Sequence, residues 1–385
     1  MKTGIMLVGL NGVNASTLIS GCVAMKLKEI PCEYGMTAID IFDNKNFISI
    51  DELVFSGWDY FNVTQYDLFE EYGIVKFSSS TNFFREMTNI RPFKGIHTEK
   101  DIIIEDKFDY YIKPHNIEEA LYILENNIDE FREKNSIENV IIIFLGSPSK
   151  KVSPELKTYS EEFFLNCDIN SIPSSVIYAL AAIKKHAHFV DFTPSETLEF
   201  SFLWSLAEKY NVQLAGRDGS TGQTMLKLTL SNMLKIRNLR LRGWYSTNIL
   251  GNHDGYILAN PEFNETKLED KQNCIAPLLG YDDFEHKVTI DFFKTRFDSK
   301  ESWDAIDFSG WLNTPMKLKL NWQGEDAILS APLLIDIIRL IEFGARKGLS
   351  GFQKQLGLFF KHPFGCEGMS LETMYNNLIS FYSKI

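Results

Sequence analysis

The chain has 385 residues, 44% of them hydrophobic and 13% aromatic, enough to bury a substantial core in one large or two interlocked domains. Its formal net charge of -12 argues against broad nucleic-acid binding, which runs on counterion release by clustered lysines and arginines. An anionic small molecule fits that charge only through a local cationic pocket.

Five cysteines (Cys22, Cys32, Cys167, Cys274 and Cys366) are odd in number, far apart and without a C-x-x-C pair, as expected in a reducing cytosol rather than a disulfide scaffold. No apolar run approaches the roughly 20 residues that span a bilayer, and no small-residue cleavage site follows an N-terminal apolar core. These features predict a cytoplasmic protein that does not enter a membrane.

The opening run IMLVGL is apolar in the manner of a buried strand, and NGVNASTLISGCVAMKLKEI after it has helical spacing. Together they predict the first half of a β-α-β unit. The loop between them, Gly9 to Thr17 (GLNGVNAST), has the setting of a pyrophosphate loop, with a strand before it and a helix N-terminus after it. Gly9, Gly12 and Ala15 suit that pattern, whereas Asn11 stands where a middle glycine often lets the backbone approach phosphate. Taken alone, the loop is equally an ordinary strand-to-helix turn.

Residues 31–118 carry few periodic signals. Beyond them, the helix-like NIEEALYILENNIDEFREK precedes the strand-like NVIIIFLG (139–146), followed by AHFVDF (187–192) and VQLAGRD (212–218). This alternation predicts a doubly wound parallel sheet, with ligands at the carboxyl ends of its strands, where FLGSPS, DFTPSET and GRDGSTGQT fall. From 226 to 322 the texture changes, and LRLRGWYSTNIL, KVTIDFFKTRF and MKLKLNW alternate like strands of a mixed or antiparallel sheet. EDAILSAPLLIDIIRLIEFGARKG then returns to a long apolar helix, so the expected division is 1–225 plus 323–385 against 226–322.

Several stretches carry candidate chemistry. GRDGSTGQT (216–224) is rich in glycine and hydroxyls, as loops that wrap phosphate or ribose are. GNHDGY (251–256) sets Asn252, His253 and Asp254 between strand-like segments, and plain turns explain the glycines of both equally well. Lys267 and Lys271 lie four apart and would share a helix face. Asp298 and Lys300 follow in FKTRFDSKES, and Lys361 stands beside Phe359, Phe360 and Pro363, unusual company for a surface lysine. His186 and His188 have a spacing open to a metal pair, yet no carboxylate-histidine pattern accompanies them, so no metal site is expected. No G-x-S-x-G elbow, P-loop or H-E-x-x-H occurs.

In this order the pieces resemble the myo-inositol-1-phosphate synthase family over most of the chain. The similar stretches are GLNGVNAST, GWD (57–59), ENVIII (138–143), PSSVIYALAAI (173–183), AGRDGSTGQT (215–224), NILGNHDGY (248–256), FDSK (297–300), EDAILSAPLLIDIIRL (325–340) and FFKHPF (359–364). The resemblance implies a Rossmann-type NAD-binding domain, interrupted by an α+β mixed-sheet domain for catalysis and tetramer assembly. It further implies conversion of glucose 6-phosphate to inositol 3-phosphate with no net redox: oxidation at C5, enolisation at C6, aldol closure onto C1 and reduction of the C5 ketone. Each step creates or moves negative charge on oxygen, which fixed cations in a closed site stabilise.

Matching positions imply catalytic Lys267, Lys271, Lys300 and Lys361 with Asp298. Lys267 and Lys300 would handle the C5 hydroxyl proton, Lys271 the phosphate and Lys361 the C1 aldehyde, with crowded ammonium groups lowering one another's pKa values. NAD is implied at Gly9, Asn11, Gly12, Val13, Asn14 and Ala15, and at Asp59, Asp218, Thr221, Asp254 and Asp326. Substrate contacts are implied for Thr221, Gly222, Gln223, Asn248, Asn252, Lys271 and Lys300. The implied assembly is a homotetramer or homodimer, and an accompanying monovalent or divalent cation is left open.

The chain also departs from the family at ligand-facing loops. FTPSET puts Phe192 at a glycine position and Glu196 at an amide position, LGSPS (145–149) replaces an Ala-Asn-Thr-Glu run, Arg217 replaces the first acid of an Asp-Asp pair, and His253 replaces an Asn. After Lys271, QNCIAP lacks an acidic pair. Three readings therefore stand: a diverged inositol phosphate synthase, a related cyclase or epimerase of another sugar phosphate, and a non-catalytic NAD-binding homologue.

Overall fold

The computed structural model describes residues 2–31, 35–42, 45–77, 79–102, 108–251, 255–256, 275–297 and 299–385. It divides into two compact units, Met1–Arg217 with Ser330–Gln353, and Asp218–Leu329 with Lys354–Ile385. Its strands in chain order are β1 Thr3–Val8, β2 Leu53–Asp59, β3 Phe93–Ile96, β4 Tyr111–Ile112, β5 Asn139–Phe144, β6 His188–Asp191, β7 Gln213–Gly216, β8 Arg240–Leu250, β9 Glu285–Phe292, β10 Ser299–Ser309, β11 Pro315–Glu325 and β12 Gly351–Phe352.

The first unit is built on an eight-stranded sheet in the order β12-β7-β6-β5-β1-β2-β3-β4, parallel throughout. β1 is buried along its whole length and β5 along all but its first residue. Strands covered on both faces read as continuous apolar runs, which is why TGIMLV and NVIIIF were visible in sequence. The helix Ser174–Lys184 is buried from Ser174 to Ile183, in keeping with its all-round apolar sequence. The chain runs from β1 outward to β4, then from β5 outward the other way. The strand order therefore reverses between β1 and β5, the point at which open α/β sheets bind ligands. This is the doubly wound parallel sheet that the alternation predicts.

The second unit carries the mixed sheet β11-β10-β8-β9, in which β10 is antiparallel to both neighbours and β8 is parallel to β9. Leu241, Trp244 and Ile306 on its inner face form a core with Leu234 of the helix Gln223–Ile236 and with Ile275 and Leu279. The helix Leu371–Ser383 adds Met374 to a second cluster with Leu228, Leu278 and Cys366. Among the described residues no helix is long and apolar enough to cross a membrane.

Candidate active site

At the switch point β1 ends in Gly9, whose φ of +88° is a left-handed conformation that L side chains rarely adopt. A Cβ there would lie 3.1 Å from the carbonyl carbon of Leu145 and 3.2 Å from the Gly146 nitrogen, so glycine also lets the turn approach the end of β5. The N–H groups of Gly9 and Leu10 donate to the Trp58 carbonyl, and Gly12 N–H closes the turn on the Gly9 carbonyl at 3.0 Å. The helix Val13–Lys26 starts next, and among the described residues no side chain caps it. Its first-turn amides at Val13, Asn14 and Ala15 lack intrahelical acceptors and sit at the positive end of the helix dipole.

Asn11 is 2% exposed and turned into the protein. Its Nδ2 donates to the Phe61 carbonyl at 2.5 Å, its Oδ1 accepts from Gln65 Nε2 at 3.1 Å, and its carbonyl accepts from the Tyr72 hydroxyl at 2.7 Å. Its N–H is committed to Asp59 Oδ2 at 2.7 Å, so the loop's donors toward an anion begin after it. Asp59 also accepts from Tyr60 N–H at 2.7 Å. Burial pushes its carboxyl up to about 6, with the amides of Asn11, Tyr60 and Phe61 pulling the other way.

At the end of β6, Asp191 is completely buried and accepts from Thr193 N–H and Oγ1, both at 3.2 Å, and from Ser195 Oγ at 2.5 Å. Burial raises it to about 7, opposed by those hydrogen bonds and by the Arg217 charge. The two unusual residues nearby are parts of one network. Glu196 takes Val152 N–H at 2.9 Å and Lys157 Nζ at 2.7 Å, Lys157 also reaches Glu199 at 2.7 Å, and Glu199 pairs with Arg217. Phe192 is buried, and His186 and His188 diverge to separate backbone partners at Tyr210 and Gln213.

In the second unit, 218–220 and 359–361 run side by side: Ser220 N–H donates to the Phe359 carbonyl, Gly219 bridges Phe360, and Lys361 N–H donates to the Asp218 carbonyl. This pairing brings Lys361 Nζ within 2.7 Å of Asp218 Oδ1, both side chains being at most 10% exposed. Lys300, at the start of β10, is likewise buried, with Nζ 2.8 Å from Asp326 Oδ2, while Thr221 Oγ1 reaches Asp326 Oδ1 at 3.4 Å. Each of these lysines thus has a carboxylate partner. Gln223 starts the following helix, and Asn248 is fully buried on β8 with its Nδ2 3.5 Å from the Thr289 carbonyl. Asn252, His253, Asp254, Lys267, Lys271 and Asp298 lie outside the described residues.

The nucleotide-type loop on the doubly wound sheet of the first unit, and the two carboxylate-bound lysines of the second, are features of an NAD-binding enzyme. The sequence profile of myo-inositol-1-phosphate synthase matches residues 37–379, and the chain belongs to that family. It is 29% identical to inositol-3-phosphate synthase 1 of Bacteroides thetaiotaomicron, over 94% of this chain and 89% of that protein. It is 26% identical to inositol-3-phosphate synthase of Saccharomyces cerevisiae, over 90% of this chain and 74% of the relative. The fold is similar to that of inositol-3-phosphate synthase from Caenorhabditis elegans, with a TM-score of 0.88 at 21% identity, covering 99% of this chain and 85% of the other.

Sequence reasoning assigned Asp218 and Asp326 to the cofactor and Lys300 and Lys361 to catalysis; the structure joins them as two pairs. It missed Gln65 and Tyr72, which hold Asn11, and it missed Asp304, which holds Gln223. The last carried a signal: Lys300, Ser302 and Asp304 alternate with period two, which puts all three on one face of a strand.

Proposed function

We propose that this chain converts D-glucose 6-phosphate to 1D-myo-inositol 3-phosphate with NAD restored in each turnover. Family membership sets the reaction class, and the two lysine-carboxylate pairs carry the reading to this chain's own residues. The loop fits a dinucleotide, because Gly9 takes a tight turn against the end of β5 and the helix after it offers uncapped amides at Val13, Asn14 and Ala15. Asp59, Asp218, Thr221, Asp254 and Asp326 complete the proposed cofactor set. NAD, when bound, supplies the oxidation at C5 and its later reversal.

The chain's own residues supply charge and proton handling. An ammonium has three donors, and Lys300 spends one on Asp326, leaving two for the oxygen at C5. Lys267 is proposed to share that proton, and Lys271 to hold phosphate. Lys361, anchored through Asp218, is proposed to polarise the C1 aldehyde for ring closure. Thr221, Gly222, Gln223, Asn248 and Asn252 are proposed to fix the sugar. Functionally, 1–225 plus 323–385 is proposed as the cofactor part and 226–322 as the catalytic and assembly part. A homotetramer is the proposed assembly, supported by Tyr245 and Trp303, 44% and 51% exposed on the outer sheet face.

The test is incubation of the full chain with glucose 6-phosphate and NAD. The expected result is an acid-stable, periodate-sensitive inositol phosphate without net NADH. The Lys157–Glu196–Glu199–Arg217 network and buried Phe192 favour, as a second reading, a different sugar phosphate. Turnover of another hexose phosphate without turnover of glucose 6-phosphate selects it, whereas NAD binding with no turnover at all sinks both.

A further inference from the structure

The loop after β1 spends its first donors on the protein itself. Gly9 and Leu10 N–H go to the Trp58 carbonyl, Asn11 N–H to Asp59 and Gly12 N–H to the Gly9 carbonyl. The Asn11 side-chain amide is spent as well, on the Phe61 carbonyl. The outward-facing part begins at Gly12, which is exposed, and continues through half-buried Val13 and Asn14 before the chain turns inward at Ala15. An anion that docks here meets the uncapped first-turn amides, and beside them the side-chain amide of Asn14.

That amide is held in one orientation. Ser330, 1% exposed on the helix Asp326–Arg346, donates its hydroxyl to Asn14 Oδ1 at 2.8 Å. The contact bridges 316 positions of sequence and lies wholly within the first unit. A primary amide carries its acceptor and its two donors on opposite branches. With Oδ1 drawn to Ser330, Nδ2 is turned away from it, and among the described residues Nδ2 meets no acceptor and is not enclosed.

We propose that Ser330 is a positioning residue for the cofactor, its hydroxyl holding the Asn14 amide with the nitrogen toward the pyrophosphate. The proposal rests on NAD binding at this loop and adds a residue to that reading. Without the Ser330 hydroxyl the amide can turn over, and its oxygen would then oppose a phosphate oxygen. Ser330 makes that choice before the ligand arrives, so less ordering is left for binding to supply.

The experiment measures NAD affinity of the full chain by calorimetry in the wild type, Ser330→Ala, Ser330→Cys, Asn14→Ala, Asn14→Asp and the double variant Ser330→Ala/Asn14→Ala. Asn14→Ala is expected to weaken NAD at least about tenfold, the size of one hydrogen bond to a charged group. Ser330→Ala and Ser330→Cys weaken it by about threefold or more, and the double variant is no weaker than Asn14→Ala alone. Asn14→Asp keeps an oxygen for Ser330 and puts a second oxygen where the nitrogen was. It therefore binds NAD more weakly than Asn14→Ala, although a carboxylate suits the first turn of a helix. Cysteine fills the place of serine with a poor donor, so full affinity in Ser330→Cys reveals a packing role and overturns the proposal. Losses from Ser330→Ala and Asn14→Ala that simply add overturn it too, as does Asn14→Asp binding as tightly as Asn14→Ala. That last comparison decides if a change at buried Ser330 prevents folding. A wild type that binds no NAD overturns the cofactor reading of the loop and this inference with it, and the wild type alone reveals that outcome.

Discussion

In the proposed reaction Lys300 and Lys361 are positioned donors, each held by a carboxylate, and this separates two effects of removing them. Lys300→Ala and Lys361→Ala are each expected to lower turnover by at least about a hundredfold, by analogy with losing an oxyanion donor. Lys361→Ala also strands Asp218, 4% exposed, as a buried carboxylate without its ion pair, which costs several kcal/mol, about 3–5. The double variant Lys361→Ala/Asp218→Asn should recover the melting temperature and not the turnover; recovery of both would sink the catalytic role. Asp191 offers a test by pH. Its folded pKa is raised from 3.8 to about 7, so the folded state holds a proton that the unfolded state has released. The stability this gives is complete below about 4 and is lost as pH rises through about 7. Asp191→Asn can keep the Thr193 bonds and reverse the Ser195–Thr197 pair, in which either hydroxyl can donate. Its stability relative to wild type should therefore climb by roughly 4 kcal/mol from pH 4 to pH 8. A constant difference across that range in thermal unfolding would refute it. Glu196 and Arg217 were legible only as departures from a family pattern; Lys157, from far upstream, joins Glu196 to Glu199, which pairs with Arg217, and spacing does not announce such a network.

The elements most visible in sequence were those whose burial is uniform. β1 and β5 read plainly because both their faces are covered, while β2, buried at only three of its seven residues, left 31–118 unassigned. β10 was hidden for the opposite reason. Its inward positions include Lys300, Ser302 and Asp304, so a pattern of apolar-in and polar-out fails where the sheet face turns polar. Asn11, which stood in sequence as a defect of the glycine fingerprint, proves to be the anchor that ties the loop to Phe61, Gln65 and Tyr72. The turn itself depends on Gly9. Gly9→Ala adds a Cβ 3.1 Å from the Leu145 backbone at a positive φ, and strain of this kind costs about 1–3 kcal/mol. NAD affinity measured by calorimetry should fall by roughly 10- to 100-fold. Unchanged affinity would show that the loop is only a turn.

At the scale of the molecule, both units are assembled from separated stretches of chain, and Lys354–Ile385 groups with Asp218–Leu329. Hydrophobic spacing shows that the helix Leu371–Ser383 buries Met374, Leu378 and Tyr382, but spacing alone names no partner for that face. The change of texture after 225 was visible because a mixed sheet alternates where parallel strands run apolar throughout. The same division gives the last prediction. Gly9 and the uncapped helix lie in the first unit, whereas Lys300, Lys361 and their carboxylates lie in the second. If the pyrophosphate contacts dominate cofactor binding, Lys300→Ala keeps NAD affinity within about threefold, well under 1.4 kcal/mol, while losing turnover. Gly9→Ala loses affinity first, and enough added NAD restores much of its turnover. Titrating NAD into both variants and following product at saturating glucose 6-phosphate reads the two responses side by side. Equal loss of NAD affinity in both would mean that the lysine-carboxylate pairs hold the cofactor as much as they serve the chemistry. Asp326 and Asp218 would then be cofactor ligands before they are anchors.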